Sequence, residues 1–452
     1  MNRPKIICAM VAFLLIIAGI SCHNDKNDVD PTPSPTPSQP ESPADNYESE
    51  NTEAISKALI SGKGELKDVY WNDGYSDFLK KINLFSYKVA TKIGFNQEKN
   101  IAVSPLSIFM AMSMASDCAN GDTRQELLDA LGITYDELIA NISTLNSYCN
   151  TVFSNEEGAK KANQIKCVNS LWLNANAEAK QDGLNSLNTL FYADVFKLLP
   201  DIDINKTLTS YIKNETNGLL SPDLNIDADT YMVLMNVVYL REVWNALAQD
   251  LQLTSNKYKF RNYDNSNSSL QLLTGEYFPG KAVTTDSYRK FYTRTNSGLE
   301  LTFYVPNDGH TVDEIYNTEV LNDNTSYTYE DDEFAYTTRC LFPEFTAEYD
   351  EDIAGIIKDM GVKKFFIDGA CDFSHITDAD VCCSKIKHVT KLEVKRSGIE
   401  GAAVTAISMV NSAGFGPEKK EINYDFVVDR SFAYVLSYQD VPLFTGVVKK
   451  VE

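Results

Sequence analysis

Apolar residues recur at helical spacing at Phe78, Ile82, Phe85, Val89 and Ile93, which predicts an amphipathic first helix. An apolar helix is expected over 108–115, and Asn120-Gly121-Asp122-Thr123 reads as a turn with a cap before a helix over 126–131. Residues 165–173 read as a strand, and 184–196 and 204–217 as helices. The run 231–239 is apolar apart from one Asn, a pattern shared by buried strands and buried helix segments. Strand character returns at 299–306, and 353–366 reads as an amphipathic helix with Gly361 as its stop.

Toward the C-terminus Leu392 and Val394 alternate with charge, predicting a strand that runs into Gly398. Beyond it Gly401, Ala402, Ala403, Val404, Thr405 and Ala406 are all small or β-compatible. Asn411, Ser412, Gly414, Gly416 and Pro417 then read as an exposed, cleavable loop tip. Composition alone fits an ordinary surface loop. It also fits a peptide that enters a sheet, because small side chains pass between packed layers and main-chain pairing supplies most of the binding.

The spacing separates these readings. Gly-Ile-Glu-Gly-Ala-Ala-Val-Thr-Ala at 398–406 resembles the proximal hinge of the reactive-centre loop of serpins. Ser384-Lys385-Ile386-Lys387-His388 and Glu393-Val394 resemble the strand before that hinge, and FAYVLSYQDVPLFTGVV at 432–448 resembles the family's C-terminal hairpin. Asn100, Ser104-Pro105 and Ser107 match its first strand and buried helix, and Trp244 matches its Trp at the top of the main sheet. The segment 240–243, Leu-Arg-Glu-Val, departs from the usual Phe-Lys-Gly-Lys. The chain is thus identified as a member of the serpin family over residues 78–452. The resemblance implies an α+β fold with three β-sheets, eight or nine helices and an exposed loop over about 397–425.

With 43% hydrophobic residues the chain has ample material for a large core. The net charge of −22 argues against nucleic acid and against electrostatic attachment to anionic lipid. Residues 1–21 have a basic start, Arg3 and Lys5, and an apolar run too short for a comfortable membrane span, so they read as a secretory leader. Gly19-Ile20-Ser21-Cys22 resembles a bacterial lipobox and makes Cys22 the expected lipidation site. Residues 22–52, with PTPSPTPSQPESP, cannot bury a core and read as a tether. A lipid-anchored cell-envelope protein, at the outer membrane or cell surface, is expected. The folded domain is placed at 53–452.

The resemblance implies a suicide-substrate inhibitor of serine endopeptidases, with cysteine endopeptidases as a further class, and a monomeric state without catalysis or cofactor. The hinge is Gly398, Ile399, Glu400, Gly401, Ala402, Ala403, Val404 and Thr405. Counting seventeen residues from Arg396 places the reactive bond between Ser412 and Ala413, with Met409, Val410, Phe415 and Lys420 as alternatives. A small side chain there favours an elastase-like or subtilisin-like target. Ser104, Ser107, Asn236 and His388 match the family's sheet-opening polar network, since buried polar groups need partners. Arg396 and Glu344 are expected to form a charge-reversed ion pair at the loop's root. Ile399 stands where inhibitory members carry Thr or Ser, which keeps a non-inhibitory serpin-fold binding protein as the alternative. Cys371, His375, Cys382 and Cys383 lack the usual CxxC geometry, so no metal is expected, and the seven cysteines of the folded part read as free thiols.

Overall fold

The stripe of apolar residues at 78–93 lies on helix α1 (Asp73–Gly94), and all five members of it are buried. Phe78 and Phe85 meet Phe109 edge-on at 5.9 and 5.6 Å, which joins α1 to α2 (Pro105–Cys118). Pro105 takes the first helical position of α2 and the Ser104 hydroxyl accepts the Ser107 N–H, so the Ser-Pro-Leu-Ser run is a helix start. The structure, a computed structural model, describes residues 56–60, 73–94, 98–154, 163–244, 250–399 and 419–451.

Two expectations shift. Residues 121–123 form the first turn of helix α3 (Gly121–Leu131), and the Asn120 amide reaches Ser374 at 2.9 Å instead of capping that helix. After α4 (Tyr135–Tyr148), helix α5 (Gln181–Phe191) stops well short of 196. Tyr192 adopts the left-handed conformation, and the alternating residues that follow pair as a strand. Helix α6 is Ile204–Glu215. The helix expected over 353–366 is split at Gly361 into Ala354–Asp359 and a single 3₁₀ turn, Lys364–Phe366.

The main sheet is built from β1 (Ser56–Ile60), β2 (Thr151–Ser154), β3 (Asn163–Leu173), β4 (Asp194–Leu198), β5 (Met232–Val243), β6 (Phe345–Asp352), β7 (Lys387–Lys395) and β8 (Gly398–Ile399). Their order is β1-β4-β3-β5-β8-β7-β6, with β2 on β3. The ambiguous run 231–239 is thus a central strand, apolar because both of its faces are covered. Its odd positions Met235 and Val237 pack with Trp172 and Tyr211 under α6, while Leu240 belongs to the larger core on the α2 side.

A six-stranded sheet carries the C-terminal hairpin Phe432–Tyr438 and Val441–Val448, and a four-stranded sheet has Lys420–Val427 at its edge. The described residues therefore hold three large sheets, one two-stranded hairpin and nine α-helices. Gly446 in the hairpin is forced by close approach, because a Cβ there would stand 1.8 Å from the Ile101 carbonyl oxygen. Asn100 ties the two ends of the domain together: its Oδ1 accepts the Lys449 and Lys450 N–H groups at 2.8 and 3.0 Å. Among the described residues no helix is long and apolar enough to cross a membrane.

Candidate functional site: a gap in the main sheet

Strands β5 and β7 flank the two-residue β8 in the sheet order, and among the described residues their strand pairing runs only through it. Gly398 pairs with Val243 and Lys395, and Ile399 pairs with Glu242 and Val394, antiparallel on both sides. The two long strands consequently run parallel to each other. Past β8 their facing edges line a cavity of about 810 Å³ that extends over 231–240 of the β5 side and 386–392 of the β7 side. Ser107, Ile108, Ala111, Met112 and Ala115 of α2 form its floor, and residues 381–385 line its far end. Two strand edges facing across such a gap present main-chain donors and acceptors to any third strand that enters.

Gly398 is seated against backbone. A Cβ at this position would lie 2.2 Å from the Glu242 carbonyl oxygen and 3.2 Å from the Val243 Cα. Ile399 is completely buried in the larger core beside Val394. The Trp244 indole N–H donates to the Lys395 carbonyl at 2.6 Å and so clips the end of β7 to the end of β5. Of the expected hinge, only Gly398 and Ile399 are described. Glu400 to Thr405, the bond Ser412–Ala413, its alternatives Met409, Val410 and Phe415, and Cys22 lie outside the described residues. Lys420 opens the edge strand Lys420–Val427, pairs with Phe334 in register and reaches Glu333 at 3.2 Å. A protease needs an extended, separable substrate at its bond, so this position is a poor one.

Ser104, Ser107, Asn236 and His388 all line the gap. The contacts among them run largely through main chain: the Ser104 N–H donates to His388 Nε2 at 3.2 Å, and the Ser107 hydroxyl donates to the Asn236 carbonyl at 3.3 Å. The Asn236 side chain turns away toward β3, where its amide donates to Asn169 Oδ1 at 2.8 Å and to Cys167 Sγ at 3.1 Å. Asn169 passes the chain on to the Phe191 carbonyl at 2.8 Å. The four expected residues are thus linked in one chain, from His388 through Ser104 and Ser107 to Asn236, and a cross-strand Asn pair extends it. Burial pushes the His388 pKa down to about 4, so its imidazole is neutral at physiological pH and accepts one backbone bond. Its Nε2 faces a main-chain donor instead of a serine hydroxyl, a geometry without a base–nucleophile pair.

At the loop's root the expected contact is made by different atoms. Glu344 Oε1 accepts the backbone N–H of Arg396 at 2.7 Å, while the guanidinium extends to Asp250 at 3.8 Å and the Leu251 carbonyl at 3.4 Å. The turn after β7 presents the Arg396 amide toward Glu344 and carries the side chain the other way. The described cysteines are free: Cys118, Cys149, Cys167 and Cys340 are buried, and Cys371, Cys382 and Cys383 partly so. His375 Nδ1 lies 2.5 Å from the Asp117 carbonyl. Among the described residues no group of three His, Cys, Asp or Glu converges as a metal site.

Sequence reasoning missed Glu242. Its side chain is fully buried directly opposite Ile399, one carboxylate oxygen accepts the Val243 N–H at 3.0 Å, and the other has no hydrogen-bond partner among the described residues. Burial pushes its pKa up to about 7, against smaller downward pulls from the Ser297 hydroxyl and the Val243 N–H. The available signal was the departure of segment 240–243 from the family pattern.

The family model described as serpin (serine protease inhibitor) matches residues 80–451. A serpin-like protein of Methanosarcina acetivorans is 23% identical over 82% of this chain and 85% of its own length. Human neuroserpin is 26% identical over 73% and 81%. The thermophilic serpin tengpin in its native state shares the fold with a TM-score of 0.68 at 20% identity, covering 88% of this chain and all of the other. Human thyroxine-binding globulin does so with a TM-score of 0.64 at 18% identity, covering 83% and 99%.

Proposed function

The chain belongs to the serpin family, and from that premise we propose that it is a suicide-substrate inhibitor of serine endopeptidases, with papain-like cysteine endopeptidases as a second target class. The observation that carries this reading is the gap: two parallel strands held apart over a cavity, with the first two residues of a third strand already paired between their ends. The protease would attack the loop as substrate and form an acyl-enzyme through its own nucleophile. Cleavage would free the segment after Ile399 to continue down the gap, carrying the acylated protease with it.

The existing register supports the proposed bond. Continued from Gly398 opposite Val243, it would set Thr405 between Asn236 and His388, and Met409 opposite Met232, the first residue of the antiparallel β5. The gap would then be filled by twelve residues, the length of β5 itself. Ser412 would emerge just past its end, where a tethered protease clears the sheet. The small Ser412 side chain favours elastase-like and subtilisin-like targets. Ile399 also supports inhibition, since a branched apolar side chain is accommodated at the entrance of the gap.

The test mixes protein lacking residues 1–22 with elastase-like, chymotrypsin-like, trypsin-like, subtilisin-like and papain-like proteases. A denaturant-resistant band at the summed mass, with cleavage after Ser412, is expected. Cleavage between 405 and 421 that leaves every protease active would overturn trapping and favour the binding-protein reading, which thyroxine-binding globulin represents in this fold. We further propose that Cys22 carries lipid and anchors the domain to the cell envelope. Cys22→Ser should move the full chain from the membrane fraction to the soluble fraction.

A further inference from the structure

The Glu242 carboxyl, beside β8 at the entrance of the gap, is left unexplained by strand pairing and protease trapping. Ile399 is its direct antiparallel partner, and partners of this kind hold their Cβ atoms about 4.5–5.5 Å apart on one face. Val394 follows across β8 on the same face. Among the described residues, Ser297 in the turn at 295–298 acts on the carboxyl, and the carboxyl in turn acts on Tyr438 at the end of the strand Phe432–Tyr438.

The charged and titratable groups of the packed elements do not neutralise it. Arg241 on β5 and Lys391, Glu393 and Lys395 on β7 alternate onto the opposite face of the sheet, where Glu393 pairs with both lysines. Arg294 and Glu300, which flank the 295–298 turn, close on each other at 2.8 Å. The Tyr438 phenol is held protonated by burial, with Glu242 adding to the rise of its pKa. β8 itself brings only Gly398 and Ile399. A seated hinge therefore removes water from a carboxyl that, among the described residues, has one main-chain donor, one hydroxyl and no cation paired with it.

We propose that Glu242 and Ile399 form a proton-controlled latch, in which the neutral carboxyl accepts the hinge between β5 and β7 and the ionised carboxylate expels it. Seating and ionisation compete for the same space, because an anion there must recover water and the Ile399 side chain is what excludes it. Seating is at full strength below the carboxyl's ordinary 4.5 and is lost as pH rises through about 7. The seated fraction, relative to the expelled one, should fall by at most about 300-fold across that window. The latch would present the loop more fully in a neutral medium and draw its root back in an acidic one.

The consequence for inhibition rests on the reading above, but seating is measured without any protease. Hydrogen exchange read by mass spectrometry on the peptides spanning 240–244 and 396–399, corrected for intrinsic rates, should show protection at pH 5.5 that is lost by pH 8. Glu242→Gln, a neutral isostere, should stay protected at both, and Glu242→Gly provides a second neutral variant of smaller volume. Protection of the wild-type peptides that does not change with pH would overturn the proposal, as would a Gln or Gly variant that keeps the wild-type pH dependence. Failure of trapping with the latch intact would count against the inhibitor reading alone.

Discussion

His388 and Glu242 make opposite demands on pH, and the contrast can be measured. Burial holds His388 near 4 against an ordinary 6.5, so the unfolded chain binds a proton that the native protein refuses between those values. Stability from this group is full above 6.5 and is lost as pH falls through about 4. Burial holds Glu242 near 7 against an ordinary 4.5, so here the native protein keeps a proton that the unfolded chain has released. Its contribution is full below 4.5 and is lost as pH rises through about 7. Each shift spans about 2.5 units, or at most about 3.4 kcal/mol, and between 4.5 and 6.5 the two slopes are about 1.4 kcal/mol per pH unit with opposite sign.

In the wild-type protein these slopes should cancel, leaving only the background of the other groups. Glu242→Gln should uncover a stability that rises with pH, and His388→Gln one that falls, each measured from urea midpoints between pH 4.5 and 6.5 against the wild type. Along β7, His388 and Val394, the residue level with Glu242, are six residues apart, roughly 20 Å, so the double variant should return to the wild-type slope. Two single variants with the same slope would refute the assignment of these protonation states.

Gly398→Ala sets a Cβ 2.2 Å from the backbone of a central strand, which cannot move cheaply. Either β5 is strained by about 1–3 kcal/mol, or β8 leaves and Ile399 gives up its burial, about 1.5–3 kcal/mol. The urea midpoint should fall and trapping should give way to plain cleavage; an unchanged stoichiometry of inhibition would sink this account. The double charge swap Arg396→Glu with Glu344→Arg should give additive losses, because Glu344 binds the main-chain N–H of residue 396, and rescue by the double variant would contradict that contact. Trypsin should leave the bond after Lys420 intact in the native protein, since it lies within a paired strand; a fragment beginning at Glu421 would show that the edge strand opens.

The fold was legible where one residue type answers one physical demand. The stripe from Phe78 to Ile93 could only be a buried helix face, and Ser104-Pro105 at a helix start needs no tertiary context. The end of α5 was not legible, because Leu190, Phe191 and Phe196 continue a helical apolar pattern and the left-handed turn at Tyr192 is enforced by the strand partners of 194–198. Gly361 shows the same limit, a stop that also ended the helix earlier than the apolar pattern did.

The site divides along the same line. Hinge residues are recognisable because small side chains and a glycine are needed wherever a strand must slip between strands. The partners of Arg396 and Asn236 are another matter, since which atoms meet depends on a turn and on a register one strand away. Glu242 carries the strongest version of this difficulty. In the sequence it is one more charged residue in Leu-Arg-Glu-Val, flanked by an arginine that looks like its partner. Strand alternation sends that arginine to the other face, so adjacency in sequence guarantees separation in space. A carboxyl without a cation partner among the described residues, opposite the first inserted side chain, is therefore a property of the sheet, and the ordering of β8 between β5 and β7 is what turns a surface-type residue into a group whose proton the loop must compete with.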